Sequence, residues 1–168
     1  MPVNDQGITT DRYMLIPRTV IFVRKEDRFL LLQGGPTKRL WAGKYNGLGG
    51  HIEQGEDALT AARRELLEET GLEIDLWLCG TLIVDTGQNP GVCLFVFSGE
   101  WEGDQAADSR EGNTRWVSLE ALAELPVVED LPLLLDRIHR MRSGDVPFAA
   151  RSYYEDGGRL VVKFNEDN

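Results

Sequence analysis

The sequence predicts an α/β sandwich. Three observations carry that expectation. Apolar, β-branched runs such as YMLIPRTVIFV and GVCLFVF alternate along the chain with segments of helical apolar spacing, which is the pattern of sheet and helix layers packed on one another. The 168 residues, 42% hydrophobic and 27% charged, suit one folded domain and do not suit disorder. No internal repeat, low-complexity tract or interdomain linker interrupts the alternation.

The elements follow in order. Met1 to Arg12 is polar and is expected to be a flexible tail, with residues 13–168 forming a single domain. Residues 13–23 read as a strand, RKEDR as a charged turn, and 29–33 as a second strand completing a hairpin. Residues 34–50 form a glycine-rich loop carrying Trp41, Tyr45 and Asn46. A helix is expected over 57–70, stopped by Gly71. Residues 73–85 and 91–101 read as two longer strands joined by the turn cluster DTGQNPG. After the polar loop 102–113 come a short strand at 115–118, a helical turn at 119–124 and a second amphipathic helix over 131–141. Residues 148–154 and 160–164 flank EDGG as a terminal hairpin.

A formal net charge of −10 disfavours nucleic-acid polymers and anionic membranes as partners, since both select basic surfaces. A small phosphorylated ligand remains compatible if a cation bridges the two negative partners. Cys79 and Cys93 form no CxxC pair and lie in apolar runs, so buried reduced thiols are expected. No signal peptide or membrane span is visible, and a cytoplasmic location is expected.

The stretch GHIEQGEDALTAARRELLEETGL, residues 50–72, carries the chemistry. Glu65, Glu68 and Glu69 are spaced i, i+3 and i+4 and fall on one arc of a helix, with Leu59, Leu66 and Leu67 on the other side and Glu56 just before the first turn. Like charges so placed repel. Either water solvates the acidic face or a hard divalent cation neutralises it through oxygen ligands, and the residues alone leave both readings open. The glycines ahead of the helix would let backbone approach a ligand closely. An EF-hand is excluded because its loop pattern is absent.

Gly50, Glu56, Arg64-Glu65-Leu66, Glu68-Glu69 and Gly71-Leu72 match every defined position of GX5EX7REUXEEXGU. The segment therefore resembles the Nudix box, and the order of strands around it resembles that family over nearly the whole chain. The resemblance implies an α/β/α sandwich with a mixed central sheet, and hydrolysis of a nucleoside-linked pyrophosphate with Mg²⁺, or Mn²⁺ in its place. Carried over by position, Glu65, Glu68 and Glu69 would be metal ligands together with the Gly50 carbonyl. Glu56 would support the metal directly or through water, and Arg64 would orient the glutamates. The family often draws its general base from the loop before a late strand. Here SREGNTRWV offers Glu111 five residues before Trp116, with Glu68 as the rival base.

WAGKYNGLGGHIEQGE resembles the MutT-like branch, especially the oxidised-purine nucleoside triphosphatases, with Tyr45 where those carry Trp. That likeness implies a base-recognising role for Asn46, against a plain turn residue before Gly47. It implies a purine-edge role for Glu129 and Asp130 in VVEDLPLLL, although these lie nearer the leucine run than the pair in the relatives, and helix-start acids are favoured by the dipole anyway. Trp77, Trp101 and Trp116 are expected in the core or at strand edges. Trp41 is a loop residue or a base-stacking one, His51 a loop or strand residue rather than a ligand, and His139 a helix-surface residue.

The implied substrate is a nucleoside triphosphate, purine or oxidised purine, cleaved to monophosphate and pyrophosphate in nucleotide-pool cleaning by a monomer or homodimer. Alternatives are a Nudix pyrophosphatase for ADP-ribose, a nucleotide sugar or a dinucleoside polyphosphate, and a non-catalytic nucleotide-binding regulator. The last is disfavoured because no box glutamate is missing.

Overall fold

A computed structural model describes residues 3–9, 11–36, 41–103 and 112–165. At its centre is strand β1 (Leu15–Lys25), whose Val20, Ile21, Phe22 and Val23 are all buried. A strand buried on alternate residues in both directions must be covered on both faces. Two hydrophobic clusters supply that cover. One holds Ile21, Val23, Leu30, Leu32, Ala62 and Leu66, and the other holds Val20, Phe22, Phe29, Leu31, Leu134, Leu135 and Ile138. The expected α/β/α layering follows, with helix α1 (Ala58–Thr70) on one face and α2 (Leu131–His139) on the other.

The sheet is mixed. β1 runs parallel to β5 (Gly91–Glu100) over ten pairs, from Leu15 with Gly91 to Arg24 with Glu100. β4 (Trp77–Val84) is antiparallel to β5 and parallel to β7 (Phe148–Tyr154), which closes on β8 (Leu160–Phe164) as the expected hairpin. The expected first hairpin is only partly paired. β1 meets β2 (Arg28–Gly34) at three positions next to the turn, from Val23 with Leu30 to Lys25 with Arg28, and then the two strands part. On its far side β2 pairs along its whole length with β6 (Gly112–Ser118).

Residues 45–51 fill the fork between β1 and β2. Tyr45 and Asn46 form the short strand β3, paired to Gln33 and Leu32. Leu48 then exchanges hydrogen bonds with Ile21, and Gly50 O accepts from Thr19 N at 2.8 Å. The glycine-rich loop is thus pinned on both flanks, and its far end leads directly into α1.

α1 differs from the expected wheel. Leu66 is buried, but Leu67 is 46% exposed, and the buried positions are Ala61, Ala62, Leu66, Glu69 and Thr70. The two alanines allow a close approach to the sheet, which turns the helix so that Glu69 faces inward. A 3-10 turn at Glu120–Glu124 precedes α2, which buries Leu131, Leu134, Leu135 and Ile138. His139 is not simply a surface residue: its Nδ1 is buried without a hydrogen-bond partner and its ring meets Phe29 edge-on. Trp77, Trp101 and Trp116 are half-buried and pack against the two clusters. Cys79 is buried, with its thiol pushed up to about 12 by desolvation, and Cys93 is half-buried. Among the described residues no helix is long and apolar enough to cross a membrane.

Candidate active site

α1 begins where its sequence says it should. Asp57 caps it, Oδ1 accepting from Leu59 N and Thr60 N at 2.9 Å each, and these bonds lower the Asp57 pKa. Gly71 ends it in the left-handed conformation, φ 71°, donating to Leu67 O. Fixing both ends fixes the position of the acids along the helix.

Arg64 sits among those acids. Its Nε donates to Glu56 Oε1 at 2.7 Å and its Nη2 to Glu56 Oε2 at 3.0 Å, a two-pronged pair. Its Nη1 donates to Glu65 Oε1 at 2.9 Å and reaches Glu68 Oε2 at 3.4 Å, and its Nη2 also meets the carbonyl of His51 at 3.1 Å. The repulsion expected of the acidic face is therefore relieved in part by one guanidinium. Glu56 accepts in addition from Glu53 N, and the Arg64 bonds first and that backbone bond second lower its pKa. Arg64 in turn is held even more firmly protonated by Glu56 and Glu65.

The remaining acids differ sharply. Glu69 is 4% exposed and accepts from Gly49 N at 2.8 Å, tying the helix to the loop. The Glu68 side chain is 61% exposed, and among the described residues its hydrogen bond is the long one to Arg64. Gly50 lies under Glu65: a Cβ there would stand 2.5 Å from Glu65 Oε1. Only glycine leaves that space.

These donors fit a hard divalent cation. They are all oxygens, the Glu65 carboxylate rests against the residue whose carbonyl would join it, and Glu68 stands beside them with a mostly exposed side chain. Among the described residues no three acidic, imidazole or thiol side chains already converge on one point, because Arg64 occupies the space between them. The groups that could hold a metal are Glu65, Glu68, Glu69 and the Gly50 carbonyl, with Glu56 behind them. Glu111 lies outside the described residues.

The other end of residues 45–51 pairs with the segment that precedes Glu129 and Asp130. Tyr45 N donates to Pro126 O at 2.7 Å and Val128 N donates to Tyr45 O at 3.1 Å, so residues 126–128 run parallel to β3. Glu129 and Asp130 follow that paired segment directly in the chain. Asn46 Oδ1 accepts from Gly47 N at 2.8 Å, a turn contact, while its amide nitrogen has no partner among the described residues. Asp130 is half-buried at the start of α2, where desolvation, aided by Glu129, raises its pKa. Tyr154, from the terminal hairpin, stands near enough to feel both acids, though burial is the larger cause of its raised pKa.

Sequence reasoning missed three participants. Thr19 holds the Gly50 carbonyl in place, and its only signal was a polar residue, 3% exposed, inside an apolar strand. The strand-like pairing of residues 126–128 had no local signal. Arg18 donates from Nε to His51 Nε2 at 3.1 Å, a contact that no spacing rule connects.

The chain is similar to known proteins of one family. The NUDIX domain profile matches residues 14–138. Oxidized purine nucleoside triphosphate hydrolase of Mus musculus is 30% identical over 125 residues, 71% of this chain and 79% of that protein. The protein of the same name from Danio rerio is 33% identical over 106 residues, 62% of this chain and 67% of its own length. Among solved structures, the MutT protein of Bacillus halodurans superposes with a TM-score of 0.73 over 92% of this chain and 100% of that one, at 24% identity.

Proposed function

The chain belongs to the Nudix family and is a pyrophosphohydrolase of it, and on that premise we propose that residues 13–168 form one domain that hydrolyses a purine nucleoside triphosphate, including oxidised forms, to monophosphate and pyrophosphate. The observation that carries this reading is residues 45–51 themselves. One end is tied to the box helix through Gly49 and Glu69, and the other carries Asn46 and pairs with residues 126–128 just ahead of Glu129 and Asp130, which supports reading the segment as a link between bond-breaking and base-reading groups. The named relatives in mouse and zebrafish support the choice of purine triphosphates.

In this reading Glu65, Glu68, Glu69 and the Gly50 carbonyl hold Mg²⁺, or Mn²⁺ in its place. The bound cation supplies charge neutralisation on the phosphate oxygens and lowers the cost of activating water. Arg64 keeps Glu56 and Glu65 in register, and Thr19 N keeps the Gly50 carbonyl aimed. The water oxygen bonds to a phosphorus of the α–β anhydride, that P–O bond breaks, and monophosphate and pyrophosphate separate. The proton goes to a carboxylate, either Glu111 or Glu68. Glu68 has the freer side chain of the box acids. Asn46 offers its unpaired amide to the base, and Glu129 and Asp130 offer carboxyl oxygens to its edge. These events suit a soluble protein working on the cytoplasmic nucleotide pool.

The test is a panel of nucleotides with Mg²⁺, including dGTP, 8-oxo-dGTP, ADP-ribose and a dinucleoside polyphosphate, comparing the wild type with Glu68→Gln and reading products by anion-exchange chromatography. Release of monophosphate and pyrophosphate from purine triphosphates is expected, with the variant strongly impaired. Cleavage of ADP-ribose without cleavage of triphosphates would sink the substrate assignment.

A further inference from the structure

The roll of α1 that buries Glu69 leaves Leu67 outside. Leu67 lines an open groove of about 1200 Å³ between α1, residues 72–77 and the end of β5, together with Leu72, Ile74, Trp77 and Trp101. An apolar floor of that kind on a protein surface marks a place where something docks. The box acids Glu65, Glu68 and Glu69 do not line it, but Arg64 does.

The charges around the groove say what docks. Arg63 and Arg142 border it, and so do Glu73, Asp75 and Glu102. Among the described residues none of these five forms an ion pair, although all face one groove. Glu100, also there, is already committed to the buried Arg24. A chain of net charge −10 repels its own copies over most of its surface. Here, in contrast, uncompensated charges of both signs surround an apolar centre. A two-fold axis sets a face against itself, so a face used this way must be self-complementary. This one meets that condition, because the arginines of one copy have acids to meet on the other.

A filler for the recess stands next to it. Arg142 and Ser143 line the groove, and a turn brings Asp145 back to Arg142: Asp145 N donates to Arg142 O at 3.1 Å, and Asp145 Oδ2 accepts from Arg142 N at 2.8 Å. The next residue, Val146, is 86% exposed. An apolar side chain so bare, beside an apolar recess that it does not fill in its own chain, suits the recess of a neighbour.

We propose that this groove is a self-association face. Two copies of the chain meet across it about a two-fold axis, each receiving the Val146 corner of the other, with Arg63 and Arg142 opposite Glu73, Asp75 and Glu102. The proposal does not depend on which nucleotide is cleaved. Because Arg64 borders the groove while bonding Glu56 and Glu65, the contact reaches the guanidinium that holds the box acids in register.

Sedimentation velocity on the full chain over a range of concentrations, in low and high salt, tests this. The wild type is expected to pass from monomer to dimer as concentration rises, and high salt should weaken the dimer by screening the paired charges. Leu67→Glu, Val146→Glu and Arg63→Glu should each raise the dimer dissociation constant by about 10- to 100-fold. Circular dichroism checks that the monomers are folded. If Leu67→Glu does not fold, the other two carry the test, since Val146 and Arg63 are exposed. Met14→Glu alters a different exposed apolar side chain, at the start of the central strand, and should leave the dimer unchanged. A wild type that stays monomeric at the highest soluble concentration, a dimer that the three groove variants leave intact, or one broken only by Met14→Glu overturns the proposal.

Discussion

The two ends of residues 45–51 are built by different means. At the box end, Arg64 bonds Glu56, Glu65 and the His51 carbonyl, and Glu69 bonds Gly49 N, 20 residues away, all ionic or charge-assisted contacts. At the base end, Tyr45 is held by backbone hydrogen bonds to Pro126 and Val128, some 80 residues away in sequence. The first arrangement is written in local spacing. The second exists only once distant parts of the chain meet. The box carboxylates are thus held within one compact motif, while the pairing of Tyr45 depends on elements that can vary separately.

Four substitutions probe that contrast. The largest effect belongs to the box end: Glu68→Gln should lower kcat by about 10²- to 10³-fold. Its side chain is 61% exposed, so the melting temperature should hardly move. A loss below tenfold in steady-state assays would mean that the box carries less of the chemistry than this contrast assigns to it. Next comes Gly50→Ala, which places a Cβ 2.5 Å from Glu65 Oε1 and must displace that carboxylate. Misplacement on that scale should cost about 10- to 100-fold in kcat while KM changes little.

The base end should respond in the other kinetic constant. Asn46→Ala removes the amide beside residues 126–130 and should raise KM for purine triphosphates by about tenfold, with kcat nearly preserved. A fall in kcat instead would erase the division of labour between the two ends.

The smallest effect concerns stability. Burial raises the Asp130 pKa in the folded protein, so the native state binds that proton more tightly than the unfolded chain does. Stability contributed by this group is therefore present at low pH and is lost as pH rises from the unfolded carboxyl value through the raised folded one. Asp130→Asn lacks that loss. It should match the wild type in acid and exceed it at neutral pH by about 2 °C in Tm. Thermal melts at the two pH values check the sign.

Much of the box end was legible because its determinants are local. Asp57 and Gly71 announce the helix ends, and the i, i+3, i+4 spacing puts Glu65, Glu68 and Glu69 near one another. What local spacing could not show was how far the helix rolls. Ala61 and Ala62 are small rather than strongly apolar, so counting leucines puts Leu67 inside and Glu69 outside, the reverse of what packing selects. Strand β3 has two residues and no propensity signal of its own; the fork between β1 and β2 creates it. Glu129 and Asp130 could be singled out by family likeness, but the placement of the segment that leads into them depends on its pairing with Tyr45. The Arg18–His51 contact is invisible to any one-dimensional pattern because it joins residues 33 apart.

The ten parallel pairs between β1 and β5 also bear on how the molecule is made. Each joins residues 76 apart, from Leu15 with Gly91 to Arg24 with Glu100. Loops of that length close slowly compared with a helix or a tight hairpin. A chain emerging from the ribosome presents VIFV and the complete box well before β5 is available to flank the strand. The box helix can begin to form during that interval, but the strand that anchors the Gly50 carbonyl still has a bare edge. Until β5 arrives, this apolar edge is open to mispairing with other chains. Synthesis therefore passes through a stage at which the motif is present and its platform is not, and that interval is where a folding helper would find its most exposed target.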